Sequence, residues 1–279
     1  MSTAIVTDTN SSMTMEEAEK LGIYLLPMPI IVNGKEYFEG RDMHYSEFFR
    51  LLDEGAEVST SQPSPDSLMQ LWDQALQKYD SLVHIPMSSA LSGSMQTAKA
   101  LAEEFNGRVH VADNRRISIT QRRSALDALK LAADGVSAEK IVELLEEKGP
   151  VSSIYLAVHT LDLLKKSGRI TPSAATIATI LGINPVLQIQ GGKLDSYAKV
   201  RGMKHARKTM LEAIAADLKS RFAYQPVTVE IAYSGDEKHA LEWQEQVKTR
   251  FPEADTTLYQ LPLSICCHVA GGVEAIGIS

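Results

Sequence analysis

Short apolar segments alternate with helix-length segments through the first half of the chain, and this alternation limits the fold more than any other feature. Strand-like segments lie at Ala4–Thr7, Leu82–Pro86 and Arg108–Val111, and helices are predicted over 118–133 and 138–147. Strands joined through an intervening helix run parallel, because the helix carries the chain back across the sheet. The alternation therefore predicts an α/β domain with a parallel sheet.

The pattern changes in the second half of the chain. Two strand-like segments, Pro185–Gln190 and Leu194–Val200, flank Gly191-Gly192, a spacing typical of an antiparallel hairpin. Helix, strand, helix and strand then follow, at about 203–221, 227–233, 237–250 and 256–261. This order favours an α+β fold. We predict an N-terminal α/β domain over 1–157 and a C-terminal α+β domain over 158–279.

Three local patterns set the limits of single elements. Thr14 with Glu17 forms a capping box that opens a helix. Asn33-Gly34 is a favoured type I′ pair, and it predicts a hairpin whose first strand covers Leu25–Val32. Ser173 is predicted to cap a helix that ends at Gly182.

Residues Ile85–Met95 combine the end of an apolar strand, a loop with four serines and the start of a helix. The first N–H groups of a helix lack partners and mark the positive end of its dipole, so an oxyanion is favoured there. Ser92 or Ser94 is expected to cap the helix and to present its hydroxyl to a ligand. The simpler interpretation, in which these serines only cap the helix, remains open on these residues alone.

A second hydroxyl-rich segment, Ser59–Asp66, lies upstream. Ser64 followed by Pro65 predicts a helix that continues to about Lys78. Thr60 and Ser61 add more hydroxyls than one cap requires. We therefore expect the two segments to converge on one ligand headgroup.

Composition restricts the classes of partner. The net charge of −7 argues against nucleic-acid binding. The basic cluster of Arg115, Arg116, Arg122 and Arg123 is interpreted as a solvated helix face, with a docking patch as the alternative.

Neither a membrane span nor a secreted protein is predicted. No apolar run approaches the roughly 20 residues of a membrane-spanning helix, and the first residues lack a signal-peptide pattern. The two cysteines, Cys266 and Cys267, are adjacent, which predicts reduced thiols in a cytoplasmic protein and no metal site.

Four single residues, Asp8, Arg169, Arg201 and His268, are candidates for chemistry. Asp8 follows the first strand, where α/β folds place ligands, although a carboxylate capping local N–H groups explains it equally well. Arg169, in a glycine loop, and Arg201, after the hairpin, are expected to be surface charges, anion ligands or partner contacts. His268 precedes glycines that permit close approach of a ligand, and it is expected either to donate to a carboxylate or to be a structural histidine. His84 lies on a buried strand and is expected to be structural.

A serine-dependent acyl-ester hydrolase is the alternative from another class. Serine, His268 and Asp8 supply the residue types of a triad, but the G-x-S-x-G pattern is absent. A phosphate-binding P-loop is absent as well. The residues therefore favour a receptor for an anionic headgroup, either a lipid or another anionic metabolite.

At these residues the chain resembles the DegV family, the fatty-acid-binding subunits of bacterial fatty acid kinase. The matching segments occur in family order from residue 6 to the C-terminus: Val6-Thr7-Asp8-Thr9 with Ser11-Ser12, Thr60-Ser61-Gln62-Pro63-Ser64, Ile85-Pro86 with Ser88-Ser89, Leu91-Ser92-Gly93-Ser94, Ser167-Gly168-Arg169-Ile170, Pro185-Val186-Leu187 with Gly192-Lys193, Arg201, and His268 with its glycines.

The resemblance implies a two-domain protein that holds a long-chain fatty acid between its domains, with no other cofactor. It implies that Thr60, Ser92 and His268 bind the carboxylate. Ser61, Gly93 and Ser94 are included in this candidate ligand site. Arg169 and Arg201 would lie near the opening, where a separate ATP-binding kinase subunit docks and phosphorylates the acid to an acyl phosphate. The chain itself would not be catalytic.

The sequence departs from the family pattern at three places. Ser94 stands where a threonine is usual, and it keeps the hydroxyl. The C-terminal segment from Gly271 lacks the usual Gly-Pro-Gly and brings in Glu274, a charge. Cys266-Cys267 replaces the small or hydroxylated residues expected before His268.

Overall fold

The structure, a computed structural model, describes residues 2–176, 183–223, 225–254 and 256–279. The chain divides into two compact units, 1–150 and 151–279. The predicted boundary after residue 157 differs from this division by one strand, Ser153–Ala157. That strand is hydrogen-bonded to two strands of the second unit, and this pairing fixes its place.

The first unit alternates strands and helices, as the sequence predicts. Its elements are β1 (Thr3–Asp8), α1 (Met15–Leu21), β2 (Tyr24–Leu26), β3 (Pro29–Val32), β4 (Lys35–Phe38), α2 (Tyr45–Asp53), β5 (Val58–Thr60), α3 (Pro65–Leu76), β6 (Ser81–Ile85), α4 (Ser94–Ala102), β7 (Val109–Val111), α5 (Ser118–Ala133) and α6 (Ala138–Lys148). Single 3₁₀ turns follow β1 and α4.

Helices cover both faces of the main sheet. Its strands are all parallel and lie in the order β2-β1-β6-β7. Successive side chains of a strand point to opposite faces, so Ile5 packs with residues of α5 and α6 while Val6 packs with residues of α3 and α4. Both side chains are fully or almost fully buried, which confirms the predicted parallel α/β architecture.

The segment Leu25–Val32 is two strands rather than the predicted one. Pro27 lacks the N–H that a continuous strand needs, and the chain changes sheets there. β2 joins the parallel sheet, whereas β3 pairs with β4 and with β5, a strand that was not predicted, in a three-stranded antiparallel sheet. The turn between β3 and β4 has φ of +51° at Asn33 and +79° at Gly34, as the type I′ prediction requires.

The second unit is built around a six-stranded mixed sheet. Its elements are β8 (Ser153–Ala157), α7 (Asp162–Ser167), α8 (Pro172–Ala175), β9 (Ile183–Ile189), β10 (Asp195–Arg201), α9 (Met203–Lys219), β11 (Val229–Tyr233), α10 (Glu237–Arg250), β12 (Thr257–Gln260), α11 (Leu263–Val269) and β13 (Glu274–Ile278). The strand order is β10-β9-β8-β13-β11-β12, and β9 with β10 forms the predicted hairpin. A core that contains Trp243 and Met210 joins α9 and α10 to one face.

Two elements of this unit were not predicted, α11 and β13. β13 lies inside the sheet and pairs antiparallel with both β8 and β11. Its five residues include a glutamate and a glycine, which have weak strand propensity, so its state depends on its neighbours. α11 has only seven residues, and all of them except His268 are buried, so no amphipathic period marks it in the sequence.

The helix predicted over 173–182 is only partly described. α8 is capped by Thr171, whose Oγ1 accepts from the Ala174 N–H at 3.3 Å. Ser173, the predicted cap, lies inside this helix, and its hydroxyl donates to Asp195 at 2.7 Å. Pro172 at the first helical position explains the shift, because a capping residue precedes such a proline. Residues 177–182 lie outside the described part of the chain.

The basic cluster is not a solvated helix face. Arg116 is 5% exposed, and its guanidinium donates to the carbonyls of Gly149 and Lys148 at the end of α6. Arg122 is 8% exposed and pairs with Glu17 of α1. Carbonyls at a helix C-terminus carry partial negative charge, which explains how a cation is accommodated there. Two of the four arginines are therefore part of the interior of the first unit.

Gly149 provides a test of this packing. A Cβ at residue 149 would lie 2.2 Å from the Asn114 carbonyl oxygen, and backbone cannot move aside as a flexible side chain can. Gly149→Ala is expected to lower the free energy of unfolding by about 1–3 kcal/mol in urea titrations. Gly192→Ala is the control, since no atom lies within 4 Å of its added Cβ. Equal stability of the two variants would contradict this packing.

Candidate functional site

A buried carboxylate joins the carboxyl ends of β1 and β6. Asp8 is the last residue of β1 and is 1% exposed. Its Oδ1 accepts from the Asn10 backbone N–H at 2.9 Å, and its Oδ2 accepts from the Met87 backbone N–H at 2.9 Å. Burial raises the pKa of Asp8 to about 6, although these hydrogen bonds act to lower it. Asp8 therefore caps local N–H groups, the simpler of its two interpretations.

Gln121, which sequence reasoning missed, reaches the same place from α5. Its Nε2 lies 3.1 Å from Thr7 Oγ1, 3.1 Å from Asp8 Oδ1 and 3.2 Å from the Ile85 carbonyl oxygen. The side chain is fully buried. A glutamine on a helix normally indicates the solvent face, so the sequence alone carries no signal for this position.

These contacts weaken the hydrolase alternative. The donors to Asp8 are amide groups, whereas a triad carboxylate accepts from a histidine ring. His84 on β6 accepts from Trp72 Nε1 at 2.9 Å, and burial lowers its pKa to about 3. His84 is thus the structural residue that was predicted, and no contact described in the first unit pairs Asp8 with a histidine.

The serine loop after β6 is fixed by a series of hydrogen bonds. The Ser88 N–H donates to the Arg116 carbonyl at 2.9 Å, and the Ser89 hydroxyl donates to Asp113 at 2.6 Å. The Ser92 N–H then donates to the Ser88 carbonyl at 3.2 Å. Ser88 and Ser89 are therefore structural, and the loop brings Ser92 to the start of α4.

Neither Ser92 nor Ser94 is the N-cap of α4, contrary to the prediction. The capping position is Gly93, which has helical backbone angles and provides no side chain. Ser92 Oγ accepts from the Ser94 N–H at 3.2 Å, and the two hydroxyl oxygens lie 2.8 Å apart. When Ser94 donates within this pair, Ser92 Oγ accepts twice and its own O–H is left for another acceptor. The half-buried Ser92 can therefore donate to an oxyanion at a helix N-terminus.

The two hydroxyl-rich segments of the first unit are neighbours, which convergence on one headgroup would require. The Gln62 amide oxygen accepts from Thr97 Oγ1 of α4 at 2.9 Å and lies 3.9 Å from a Cβ built at Gly93. Thr60 ends β5 and is half-buried, as is the adjacent Ser61, whose hydroxyl donates to the Gln62 carbonyl at 3.2 Å.

The helix after this segment begins as predicted. Ser64 caps α3 by accepting from the Ser67 N–H at 3.1 Å, and Pro65 occupies the first helical position. Ser64 is therefore the structural cap of the second segment.

In the second unit, Arg169 and His268 interact electrostatically. His268 lies in the last turn of α11 and is half-buried, and Arg169 follows the left-handed Gly168 that ends α7. Burial, and after it the positive charge of Arg169, lowers the pKa of His268 to about 4. The imidazole is therefore neutral at pH 7, so that one ring nitrogen donates and the other accepts.

The glycines after His268 make room for a side chain of the protein. A Cβ at Gly272 would lie 2.6 Å from the ring of His159. The predicted close approach at this glycine is therefore made by His159. Nearby Glu274 is 5% exposed and pairs with Arg207 through Nε and Oε2 at 2.6 Å. This pair lines a cavity of about 310 Å³.

The remaining candidates differ in exposure. Arg201 ends β10 with an exposed side chain, as a partner contact would require. Cys266 and Cys267 are buried and form no disulfide. Within the described residues, no group of histidine, cysteine or carboxylate side chains fits a metal ion. No helix in that part of the chain is long and apolar enough to cross a membrane.

Comparison with protein families gives the class of this chain. Residues 2–279 match the family model described as "Uncharacterised protein, DegV family". A DegV domain-containing protein of Deinococcus radiodurans is 34% identical over 215 residues, which cover 77% of this chain and 76% of that protein. The chain belongs to the DegV family, as the resemblance of its motifs indicated.

Solved structures support the same assignment. One solved structure is described as "Fatty Acid Binding of a DegV family Protein from Thermus thermophilus". Its sequence is 28% identical to this chain, the TM-score is 0.91, and the match covers 100% of this chain and 99% of that one. A fatty-acid-binding DegV family protein of Streptococcus agalactiae is 26% identical, with a TM-score of 0.87, and covers 100% and 98%. The predicted fold class is therefore confirmed over the whole chain.

The electrostatic coupling of Arg169 to His268 can be measured directly. Arg169→Gln removes the positive charge that disfavours protonation, so the pKa of His268 is expected to rise from about 4. An NMR titration of the histidine ring signals would report the change. Arg201→Gln is the charge-matched control, because Arg201 is not among the causes of the His268 shift. Identical titration in the wild type and Arg169→Gln would contradict the coupling.

Proposed function

We propose that this chain binds a long-chain fatty acid through its carboxylate. The observation that carries the proposal is the pair of hydroxyls at the start of α4: when Ser94 donates within the pair, the Ser92 O–H is left for an oxyanion beside the helix N-terminus. The fatty-acid-binding relatives from Thermus thermophilus and Streptococcus agalactiae support the ligand class. The proposed contacts are Thr60, Ser61, Ser92, Gly93 and Ser94 of the first unit and His268 of the second.

The chemistry of these groups suits a carboxylate that is bound and later released. Hydroxyls and a neutral imidazole orient an anion through hydrogen bonds without a fixed cationic partner. Most of the affinity would come from the tail. Burial of about fifteen methylenes contributes roughly 12 kcal/mol before the entropic costs of binding. The headgroup contacts then determine orientation.

The first experiment is extraction of the purified protein with organic solvent and identification of the released lipid by mass spectrometry. A near-stoichiometric fatty acid supports the proposal and identifies the tail. An empty extract together with no uptake of added oleate would contradict it. Turnover of a short acyl ester, or recovery of another anionic metabolite, would favour one of the two alternative functions.

Two substitutions test the headgroup contacts. Ser92→Ala and His268→Ala are each expected to weaken oleate binding about tenfold, since each removes one hydrogen bond to a charged group. Calorimetric titration of the delipidated variants would give the dissociation constants. Ser81→Ala is the control for the serine, because its hydroxyl contacts Thr3 at the opposite edge of the sheet. His44→Ala is the control for the histidine, since the exposed His44 makes no capping hydrogen bond.

The double variant tests whether Ser92 and His268 act on one carboxylate. Groups that share a ligand couple by about 0.5 kcal/mol or more, whereas independent groups add. Strict additivity, or unchanged affinity in both single variants, would contradict the headgroup assignment.

We further propose that the bound acid is presented to a separate ATP-dependent kinase subunit, which converts the carboxylate to an acyl phosphate. The chain then acts as a substrate-binding subunit in the cytoplasm and has no turnover of its own. The exposed Arg201 supports a docking role, because a guanidinium suits contacts with acidic side chains of a partner. Arg169 is the second candidate for docking or headgroup contact, because its positive charge acts on His268.

Charge reversal tests the docking role. Arg201→Glu is expected to leave oleate affinity unchanged and to lower acyl phosphate formation with the kinase subunit of the same organism by about tenfold or more. Trapping the acyl phosphate with hydroxylamine measures the rate. Lys248→Glu on α10 is the control with the same change in charge. A loss of oleate affinity in Arg201→Glu would instead assign Arg201 to the headgroup, and an unchanged rate would remove it from docking.

A further inference from the structure

Asp8 makes a specific set of contacts at the base of the serine loop. Its Oδ1 accepts from the Asn10 N–H at 2.9 Å and from Gln121 Nε2 at 3.1 Å, and its Oδ2 accepts from the Met87 N–H at 2.9 Å. All three partners are donors. An ionised carboxylate is the side chain that can accept from all of them, because it carries no hydrogen of its own.

The contact with Met87 connects Asp8 to the ligand-binding residues. Met87 is the second residue after β6, and the loop from there to α4 contains Ser92. The Ile85 carbonyl, at the end of β6, accepts from Thr7 Oγ1 at 2.8 Å, so strand and loop are held at adjacent residues. The direction in which the loop leaves the sheet therefore depends on the acceptor at Asp8 Oδ2.

An ionised carboxylate at this buried position lowers the stability of the fold, and a neutral side chain would avoid that loss. Burial raises the pKa of Asp8 to about 6, so the charged form is disfavoured inside the fold. No charged side chain is among the causes of that shift. On the elements packed against β1, His84 of β6 is neutral, and Arg122 of α5 pairs with Glu17 of α1. Buried groups that oppose stability are characteristic of functional positions.

We propose that Asp8 is a positioning residue for ligand binding, whose ionised carboxylate holds the loop so that the Ser92 hydroxyl meets the headgroup of the bound acid. This inference rests on the proposed function. Asp8 does not touch the ligand and acts only through the Met87 N–H.

Asp8→Asn tests the proposal with little change in volume. The amide keeps one acceptor and places an N–H against the Met87 N–H or against the other two donors. Oleate binding at pH 7.5 is expected to weaken about tenfold. Asp217→Asn is the matched control, because Asp217 is also buried and accepts from Tyr155 at 2.9 Å within the second unit. The control variant is expected to bind as the wild type does.

The pH dependence separates positioning from a purely structural role. The wild type is expected to lose its advantage over Asp8→Asn as the pH falls from 7.5 to 5, because Asp8 then gains a proton near pH 6. Titration of oleate, and of groups common to both proteins, affects the two dissociation constants equally, so its effect cancels in their ratio. In a Ser92→Ala background, Asp8→Asn is expected to cause little further loss.

Each outcome decides the inference. Wild-type affinity in Asp8→Asn, a ratio independent of pH, or an equal loss with and without Ser92 would overturn it while fatty acid binding stands. No oleate binding by the wild type at any pH would overturn the proposed function and the inference together. If Asp8→Asn does not fold, Gln121→Met replaces it. That variant removes one donor to Asp8, and unchanged affinity in it would count against the inference.

Discussion

The first unit depends on the parallel pairing of β1 with β6. Parallel strands end at the same edge of a sheet, and the amides that follow them have no further strand partner. Here Thr7, Asp8 and Gln121 supply those partners from side chains. Because the contacts connect consecutive loops to the strand ends, the positions of the serine loop and of α4 follow from the pairing of two short strands.

The same arrangement places neutral hydrogen-bond donors where the proposed carboxylate site needs them. Ser92 and Ser94 lie at a helix start whose N–H groups already favour negative charge. Two arginines of the first unit are already engaged, Arg116 by helix carbonyls and Arg122 by Glu17. Neutral donors hold a carboxylate less strongly than an arginine fork does. This difference suits a carboxylate whose oxygen must remain reactive toward a phosphoryl group, as the proposed function requires.

Much of the fold could be predicted because local signals agreed with the tertiary structure. The Asn33-Gly34 turn, the Ser64-Pro65 cap and the helices α5 and α6 lie where the sequence places them. β13 could not be predicted, because a five-residue strand between β8 and β11 is defined by pairing and not by propensity.

Within the site, composition located the hydroxyl groups, but it could not tell which of them bind the protein itself. Four serines in one loop indicated a polar site, yet Ser88 and Ser89 bind the protein itself and Gly93 occupies the cap. Gln121 was missed for a related reason: a buried amide looks like a surface residue until its acceptors on two other strands are known.

Contacts within the second unit hold the C-terminal segment that departs from the family pattern. Glu274 begins an interior strand, where an unpaired charge would be strongly unfavourable, and Arg207 of α9 forms a two-point contact with it. The usual proline is absent beside Gly272. The His159 ring packs against this glycine and occupies the space that a side chain at residue 272 would take. His159 is itself held through Nδ1 at 3.2 Å from Asn184. Paired charges and a packed imidazole therefore fix the segment after His268, so its altered sequence is compatible with the fold of the family.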